Sequence, residues 1–313
     1  MIPEPVIRTA TPADEPALYA LWARCFGDAP HLPALYALDD GRHHRTFVAA
    51  GPDGALDAVV VYVPRTVRDV HGVPHRIGGI GSVATRPEAR GRGLVRALLA
   101  EATATMSGEG CGWSLLFTGT PGVYESSGWR TFARPHAEGP LAAAPEAPGG
   151  VREARSVDRA PLARLQEAHN AHRPLSSVRS ADDWRVRVPA WYGADTLQLV
   201  AEDGAGGLRG WLVARIADGT AEVLEAAVAA DDCLGTLYAA LAVRARAAGA
   251  VRARTAVPAS PGAEHALPRL LRSGAVTRGT DTTGMYRPLL TPARTVERTV
   301  AAPGAAYWYG DSF

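Results

Sequence analysis

Three arginines and two glycines stand together just before a stretch of helical apolar spacing. They form the run Arg90-Gly91-Arg92-Gly93, with Arg96 less than one helical turn beyond it. Glycine lets a ligand approach the backbone closely, and the first N–H groups of a helix have no partner within that helix. The arginine charges and the positive end of the helix dipole add to these donors. The residue types and their spacing therefore predict an anion site, most naturally for a phosphate or a pyrophosphate.

Two common phosphate-binding motifs do not match this segment. It contains neither the GxGxxG pattern of a dinucleotide site nor the Gly-Lys-Ser/Thr of a P-loop. A basic helix start that is simply solvated, with no ligand, is the alternative interpretation of the same residues.

The elements that must position this turn can be predicted from the apolar pattern. Residues 79–85 predict a strand that leads into the turn. Helical spacing follows, with apolar residues at Leu94, Leu98, Ala102 and Met106. The short apolar run at residues 111–118 predicts a buried strand parallel to the first. Together they form a right-handed βαβ unit, whose strands would splay at their C-terminal ends beside the turn.

This strand, turn and helix resemble the coenzyme A motif of the GNAT superfamily of acyl-CoA-dependent N-acyltransferases, V-x-x-x-P-x-x-R/Q-G-x-G. Val95 replaces the Gly or Ala that is usual there, and the run RGLVRAL at residues 92–98 is similar to the enhanced-intracellular-survival (Eis) family. The resemblance implies that acetyl-CoA, or another acyl-CoA, binds along the strand end and the turn. The cofactor-binding residues that it implies are Val83, Ala84, Thr85, Arg90, Gly91, Arg92, Gly93, Leu94 and Gly119.

Tyr124 follows the second strand of this unit, in the run YESSGW at residues 124–129. A tyrosine near a core ordinarily packs against the sheet, so its position alone leaves a core role and a catalytic role equally open. The run also resembles the GNAT pattern Y-x-x-x-G-aromatic, and this context favours catalysis. The resemblance implies that Tyr124 donates a proton to the departing thiolate, because its unperturbed pKa of ~10 lies about 1.5 units above that of a thiol.

The second half of the chain repeats features of the first. The pattern R-x-A-x-x-x-D occurs at residues 8–14 and again at residues 152–158. We therefore predict an α/β (α+β) fold of two tandem GNAT-like domains, each a twisted mixed sheet flanked by helices. The first covers residues 1–141, a Pro/Gly-rich linker covers residues 142–150, and the second covers residues 151–290.

The two copies differ where the first has its glycine- and arginine-rich turn. The second has Ala230-Asp231-Asp232 there, and two carboxylates would repel a pyrophosphate. The second domain is therefore predicted to bind no coenzyme A. We expect it to shape the acceptor pocket or to hold a homo-oligomer together.

The tail at residues 291–313 ends in the aromatic run YWYGDSF, which is unusual for a disordered tail. Eis-family proteins continue with a sterol-carrier-like domain, for which this chain leaves no room. In that family the carboxylate of a terminal phenylalanine lies in the active site. The resemblance thus implies that Phe313 is the general base, with Glu125 and Asp311 as the next candidates. An aromatic plug docked on the surface is the alternative.

These expectations describe an acetyl-CoA-dependent N-acetyltransferase that acts on a primary amine of a small molecule. No cysteine is placed to form an acyl-enzyme, so we expect direct transfer in a ternary complex. The acceptor would be an aminoglycoside-like or other natural-product amine, and the acids that could attract it are Asp28, Asp39, Asp40 and Asp311. A tandem acetyltransferase like mycothiol synthase and a non-catalytic acyl-CoA-sensing module are the alternatives.

The bulk composition excludes several other classes of protein. With a net charge of +1 over 313 residues, we expect neither nucleic acid nor a membrane as a partner. The three cysteines are far apart in sequence and form no metal-binding cluster, so no metal site is predicted. The N-terminus lacks the pattern of a signal peptide, which makes the cytoplasm the expected location.

Overall fold

Two mixed β-sheets, each with helices packed on it, organise the computed structural model, which describes residues 5–27, 29, 31–51, 54–143, 146 and 148–313. The strands are β1 (Val6–Thr9), β2 (Thr46–Ala50), β3 (Leu56–Arg68), β4 (Pro74–Thr85), β5 (Trp113–Phe117), β6 (Arg130–Thr131), β7 (Arg134–Pro140), β8 (Val151–Glu153), β9 (Thr196–Glu202), β10 (Leu208–Ala217), β11 (Thr220–Val228), β12 (Arg252–Thr255), β13 (Thr277–Asp281) and β14 (Gly284–Pro288). The helices are α1 (Glu15–Phe26), α2 (His31–Tyr36), α3 (Leu94–Gly108), α4 (Gly122–Glu125), α5 (Arg159–Asn170), α6 (Val188–Trp191), α7 (Asp231–Ala247), α8 (Pro261–Ala266) and α9 (Ala293–Val300).

The first sheet has the strand order β1-β2-β3-β4-β5-β14-β6. Its centre is the predicted βαβ unit, because β4 and β5 are parallel and α3 connects them. The face of α3 towards the sheet is fully buried and consists of Leu98, Leu99, Ala102 and Met106. Burial of this apolar face holds the turn before α3 at the end of β4.

The second sheet has the order β13-β7-β12-β11-β10-β9-β8. It contains the matching unit, in which the parallel strands β11 and β12 are connected by α7. The buried face of α7 includes Leu237, Leu241 and Ala245, as the helical spacing predicts. The predicted fold class, two mixed sheets flanked by helices, is confirmed.

The internal repeat is visible as two equivalent ion pairs. Arg8 contacts the carboxylate of Asp14 at 2.8 Å, and Arg152 contacts that of Asp158 at 2.6 Å. Each aspartate also accepts a 2.7 Å hydrogen bond from the backbone N–H three residues before it, on Thr11 and on Arg155. Each therefore fixes the chain at the entry to the first helix of its half.

The two halves exchange strands across the predicted linker. Strand β7, which precedes residues 142–150, pairs with β12 and β13 in the second sheet. Strand β14, from the second half, pairs with β5 and β6 in the first sheet. The chain at Ala142 is still tied to the second half, where its N–H donates to the Leu270 carbonyl. Residues 144, 145 and 147 of the linker lie outside the described residues, and the domain limits stay a prediction.

Candidate active site

The strands β4 and β5 separate at the end where the site lies. Their parallel pairing runs from Ile77 and Trp113 to Ile80 and Leu116, whereas β4 continues to Thr85. The last five residues of β4 therefore make no ladder to β5. Side chains already bond the Ser82 and Thr85 carbonyls, and the other backbone groups on this edge can pair with a ligand. The predicted slot between two splayed strands is present.

A bulge in β4 accompanies this separation. Val61 pairs with Gly81 and Val59 pairs with Ala84, so the edge facing β3 has one extra residue on β4. Ser82 in the bulge has a φ of 52°, which is uncommon for a residue other than glycine. The Trp22 indole N–H holds it with a 2.9 Å hydrogen bond to the Ser82 carbonyl.

A groove with a volume of about 950 Å³ begins at the bulge and ends at the start of α3. Eight of the nine predicted cofactor-binding residues line it together, namely Val83, Ala84, Thr85, Arg90, Gly91, Arg92, Gly93 and Leu94. Gly119 does not line it, although the next residue, Thr120, does. The sequence did not indicate Cys25 and Phe26, which form another part of the wall from the end of α1.

The turn before α3 depends on its two glycines. Gly91 and Gly93 both have a φ of 75°, in the left-handed region that other residues rarely adopt. No heavy atom lies within 4 Å of a Cβ built on Gly91, so this side of the turn is open. An anion can therefore approach the backbone N–H groups of the turn and of the first residues of α3.

The arginines of the turn differ in their ionic partners. Asp57 pairs with Arg86 and, at 3.2 Å, with Arg92, so the charge of Arg92 is partly neutralised. Arg90 and Arg96 line the groove and have no acidic partner within the described part of the chain. These two guanidinium groups are the ones available to a phosphate.

Tyr124 lines the same groove from the short helix α4. Its side chain is 7% exposed, and its ring packs edge-on against the Trp129 ring with centroids 6.5 Å apart. Burial raises the pKa of Tyr124 above its ordinary value, although the Thr118 side chain offsets part of this effect. The phenol is therefore protonated at neutral pH, as a proton donor must be.

The second sheet has no open turn at the equivalent place. Helix α7 begins at Asp231, and α8 packs directly on this start. A Cβ on Gly262 of α8 would lie 2.1 Å from the Asp231 Cγ atom. The position that would correspond to the anion site is thus covered by protein.

The end of the tail lies on β4, on the other side of the bulge from the groove. A Cβ on Gly79 would lie 1.9 Å from Cδ1 of the Phe313 ring, and one on Gly81 would lie 3.0 Å from the Phe313 main-chain O. Gly79 and Gly81 face the same side of the strand. Because glycine has no side chain, these two positions leave the space that the terminal residue occupies.

Aromatic rings and one arginine hold Phe313 there. Its ring stacks on Phe117 with centroids 6.0 Å apart and packs against Tyr307 at 5.5 Å. Arg65 of β3 donates to the carbonyl of Ser312 at 2.9 Å. The aromatic rings of the tail are thus docked on the first sheet, and a place for the terminal carboxylate in the active site stays a prediction.

Phe313 also lines a cavity of about 430 Å³ between the two sheets. The walls come from the end of β4, from Phe117, from Tyr307 and Tyr309 of the tail, and from Arg134 and Glu222 of the second sheet. Burial lowers the pKa of Arg134, whose guanidinium lies over the Phe117 ring at 4.9 Å. An acceptor molecule in this cavity would meet the terminal residue beside the splayed strands.

The other acids named from the sequence are less available. The Asp311 carboxylate is bound by Arg179, and Asp39 is bound by Arg45 at 3.0 Å. Glu125 and Asp40 are exposed, and Asp28 lies outside the described residues. Among these candidates Phe313 is the one that lines the cavity between the sheets, and its role as base stays a prediction.

Comparison with known families assigns the first half. Residues 6–132 match the family model described as acetyltransferase (GNAT) domain. Residues 6–132 are a GNAT acetyltransferase domain. The match covers β1 to β6, and therefore the turn, the groove and Tyr124.

Solved structures share the fold of the GNAT domain and of the second half together. A conserved protein from Enterococcus faecalis, a probable N-acyltransferase, has a TM-score of 0.71 at 18% identity, over 91% of this chain and 73% of that one. Eis1 from Mycobacterium abscessus has a TM-score of 0.63 at 18% identity, over 91% of this chain and 74% of that one. N-myristoyltransferase from Saccharomyces cerevisiae, with bound myristoyl-CoA, has a TM-score of 0.60 at 10% identity, over 96% of this chain and 84% of that one. No curated protein sequence matches significantly. The Eis-like tandem fold expected from the sequence is confirmed.

The space for the tail on the GNAT domain was not identified from the sequence. The apolar pattern predicts a strand over residues 79–85, and glycine inside a strand often marks a close approach of another backbone or a ligand. The spacing of two residues between Gly79 and Gly81 places both on one face of the strand, and this spacing is the available signal.

Among the described helices, none is long and apolar enough to cross a lipid bilayer.

Proposed function

We propose that the chain is an N-acetyltransferase that transfers the acetyl group of acetyl-CoA directly to a primary amine of a small molecule. The observation that supports it best is the position of β4, which has the groove and Tyr124 on one side of its bulge and Phe313 on the other. A donor site and an acceptor site can therefore meet at the splayed strand end.

The hydrogen-bond donors that line the groove suit an acyl-CoA. The open turn at Gly91, the start of α3 and the guanidinium groups of Arg90 and Arg96 suit the pyrophosphate. The end of β4 that makes no ladder to β5, from Val83 to Thr85, suits the pantetheine amides. When bound, acetyl-CoA supplies an acyl thioester whose carbonyl carbon accepts the amine.

Tyr124 is proposed as the general acid. As the nitrogen–carbon bond forms and the carbon–sulfur bond breaks, its phenol proton passes to the sulfur, and solvent later restores that proton. Its raised pKa keeps the proton in place until this step. The Val83 N–H is proposed to stabilise the oxyanion of the tetrahedral species.

The carboxylate of Phe313 is proposed as the general base. It takes the proton that the amine nitrogen loses, so that charge is balanced within the site. Arg65 fixes the preceding carbonyl, which leaves the terminal group with limited freedom. Fixed geometry of this kind lowers the entropic cost of the proton transfer.

The acceptor is proposed to enter through the cavity between the sheets. Glu222 and the Phe313 carboxylate together outnumber the one lining arginine, Arg134, and so favour a cation. The rings of Phe117, Tyr307 and Tyr309 suit an apolar or sugar-like body. An aminoglycoside-like or other natural-product amine fits these features. A mycothiol-synthase-like arrangement, with the second copy active, is disfavoured by α8 over the start of α7.

The test is a thiol-release assay with acetyl-CoA against aminoglycosides, polyamines and peptides, with mass detection of the acetylated product. We expect at least one amine to accelerate release and to gain one acetyl group. If acetyl-CoA binds but no amine in the panel is acetylated, a sensing module becomes the better proposal. A product acetylated on oxygen or sulfur would also contradict the present one.

A further inference from the structure

The tail is anchored in the second half of the chain by a cluster of buried charges. We name it the anchor cluster, and it consists of Arg179, Tyr192, Glu225 and Asp311. Arg179 is 2% exposed, Glu225 0% and Asp311 3%. Charged groups at this depth are costly to bury unless they are paired, so an arrangement of this kind fixes its members in place.

The geometry of the anchor cluster is specific. Arg179 binds Asp311 with two bonds, from Nε to Oδ1 at 2.7 Å and from Nη2 to Oδ2 at 3.1 Å. The same Nη2 donates to Oε2 of Glu225 on β11 at 2.8 Å. A two-bond contact between guanidinium and carboxylate restricts orientation as well as distance.

Tyr192 connects the cluster to the backbone of the tail. Its hydroxyl donates to Oε2 of Glu225 and accepts a 2.9 Å hydrogen bond from the N–H of Gly310. A Cβ on Gly310 would come within 2.7 Å of the Tyr192 ring. The main chain of the tail is therefore in direct contact with the second half, just before Asp311.

The fixed position continues from Asp311 to the terminal residue. The Asp311 carbonyl accepts a 2.6 Å bond from the Tyr307 hydroxyl and a 3.3 Å bond from Arg65. Only Ser312 separates Asp311 from Phe313, and the Ser312 carbonyl is itself bound by Arg65. A shift of the Asp311 side chain must therefore move the terminal carboxylate.

We propose that Arg179 and Glu225 of the second half, acting through Asp311, are positioning residues that place the Phe313 carboxylate for proton transfer. The proposal rests on the base that we proposed above. It gives the second half a part in catalysis although its own anion site is covered. Arg179, Glu225 and Asp311 do not line the cavity proposed for the acceptor.

The charge count decides which variant is informative. Two carboxylates share one guanidinium, and burial together with the Asp311 charge raises the pKa of Glu225. Replacing Arg179 would leave both carboxylates unpaired, and such a protein would not be expected to fold. Asp311→Ala instead leaves Arg179 and Glu225 as a balanced pair, so the fold should be retained.

The kinetic test compares Asp311→Ala with the wild type. We expect kcat to fall by about ten- to a hundredfold, as for a misplacement of about 1 Å, with an unchanged KM for acetyl-CoA. Asp311→Asn, which keeps one acceptor for Arg179, should recover part of the loss. In a chain lacking Phe313, Asp311→Ala should cause no further loss, because the effect acts through that residue.

Asp158→Ala is the matched control. It removes a buried carboxylate of the second half from a two-bond arginine pair that has no contact with the tail. We expect it to lower the melting temperature without changing kcat. An equal kcat loss in Asp158→Ala and Asp311→Ala would reduce the anchor cluster to general stability and overturn the proposal.

Release of phenylalanine by carboxypeptidase A tests the anchor without any amine substrate. The docked Phe313 of the wild type should be released slowly, and that of Asp311→Ala at least tenfold faster. If no amine is acetylated, the proposed function fails, and release then decides the anchor alone. Unchanged release, or faster release with an unchanged kcat, would overturn the positioning role.

Discussion

Gly79→Ala should remove the terminal carboxylate from the site without a change in the tail itself. The added Cβ would lie 1.9 Å from Cδ1 of the Phe313 ring and 2.2 Å from Cε1. Ordinary contact begins at 3.4 Å, so the ring must move by about 1.5 Å or leave. A misplacement of about 1 Å can cost about a hundredfold in rate, and we expect kcat to fall by at least that factor.

Two neighbouring glycines make the experiment graded and controlled. A Cβ on Gly81 would lie 3.0 Å from the Phe313 main-chain O, so Gly81→Ala requires a shift of only a few tenths of an ångström. Its effect on kcat should be smaller than that of Gly79→Ala. Gly78→Ala is the control, because its Cβ would point to the opposite face and meet the flexible Met106 side chain at 2.4 Å.

The assay is initial-rate thiol release at saturating acetyl-CoA and amine, with the melting temperature measured for each variant. Gly78→Ala should keep its kcat even where it loses stability. A Gly79→Ala enzyme that releases Phe313 readily to carboxypeptidase and yet keeps full kcat would refute the role of the tail as base.

Three further results follow from the site and the repeat. Tyr124→Phe should keep its affinity for acetyl-CoA and lose most of kcat; unchanged turnover would remove the proposed acid. Because the pKa of Tyr124 is raised, the wild-type kcat should show no falling limb below about pH 10, and a limb near neutrality would contradict this assignment. Asp14→Ala and Asp158→Ala should each cost about 1 kcal/mol of unfolding free energy in denaturant titrations, as lost capping residues do. The arginine partners lower the pKa of both carboxyls, so this stability is present above about pH 4 and is lost as the pH falls further. Unequal losses of unfolding free energy in the two variants would weaken the equivalence of the repeats.

Local patterns made the groove at the start of α3 predictable. The strand before the turn, the glycines of the turn and the apolar face of α3 are all encoded within residues 79–106, and the structure brings them together as expected. The repeat was also visible, since Arg8 with Asp14 and Arg152 with Asp158 keep the same spacing and form the same ion pair.

Contacts between distant parts of the chain were not predictable from local patterns. Strands β7 and β14 are short, with seven and five residues, and nothing within them shows that each pairs in the other half's sheet. Likewise, Arg179 and Asp311 are 132 residues apart, and a buried pair of this kind leaves no periodic signal. Which distant segments come together depends on the assembled core, because closing a loop of this length has an entropic cost that neighbouring residues do not offset.

The most direct test of the central claim, that the first half binds and uses acetyl-CoA, is calorimetric titration of acetyl-CoA into wild type and Arg96→Glu. This substitution places a carboxylate at the anion site, as Asp231 does in the second half. Arg164→Glu, on the exposed part of α5, is the matched control. We predict one molecule per chain for the wild type and the control, and at least tenfold weaker binding for Arg96→Glu, about 1.4 kcal/mol. Two molecules per chain, none, or one bound equally well by Arg96→Glu would contradict the claim.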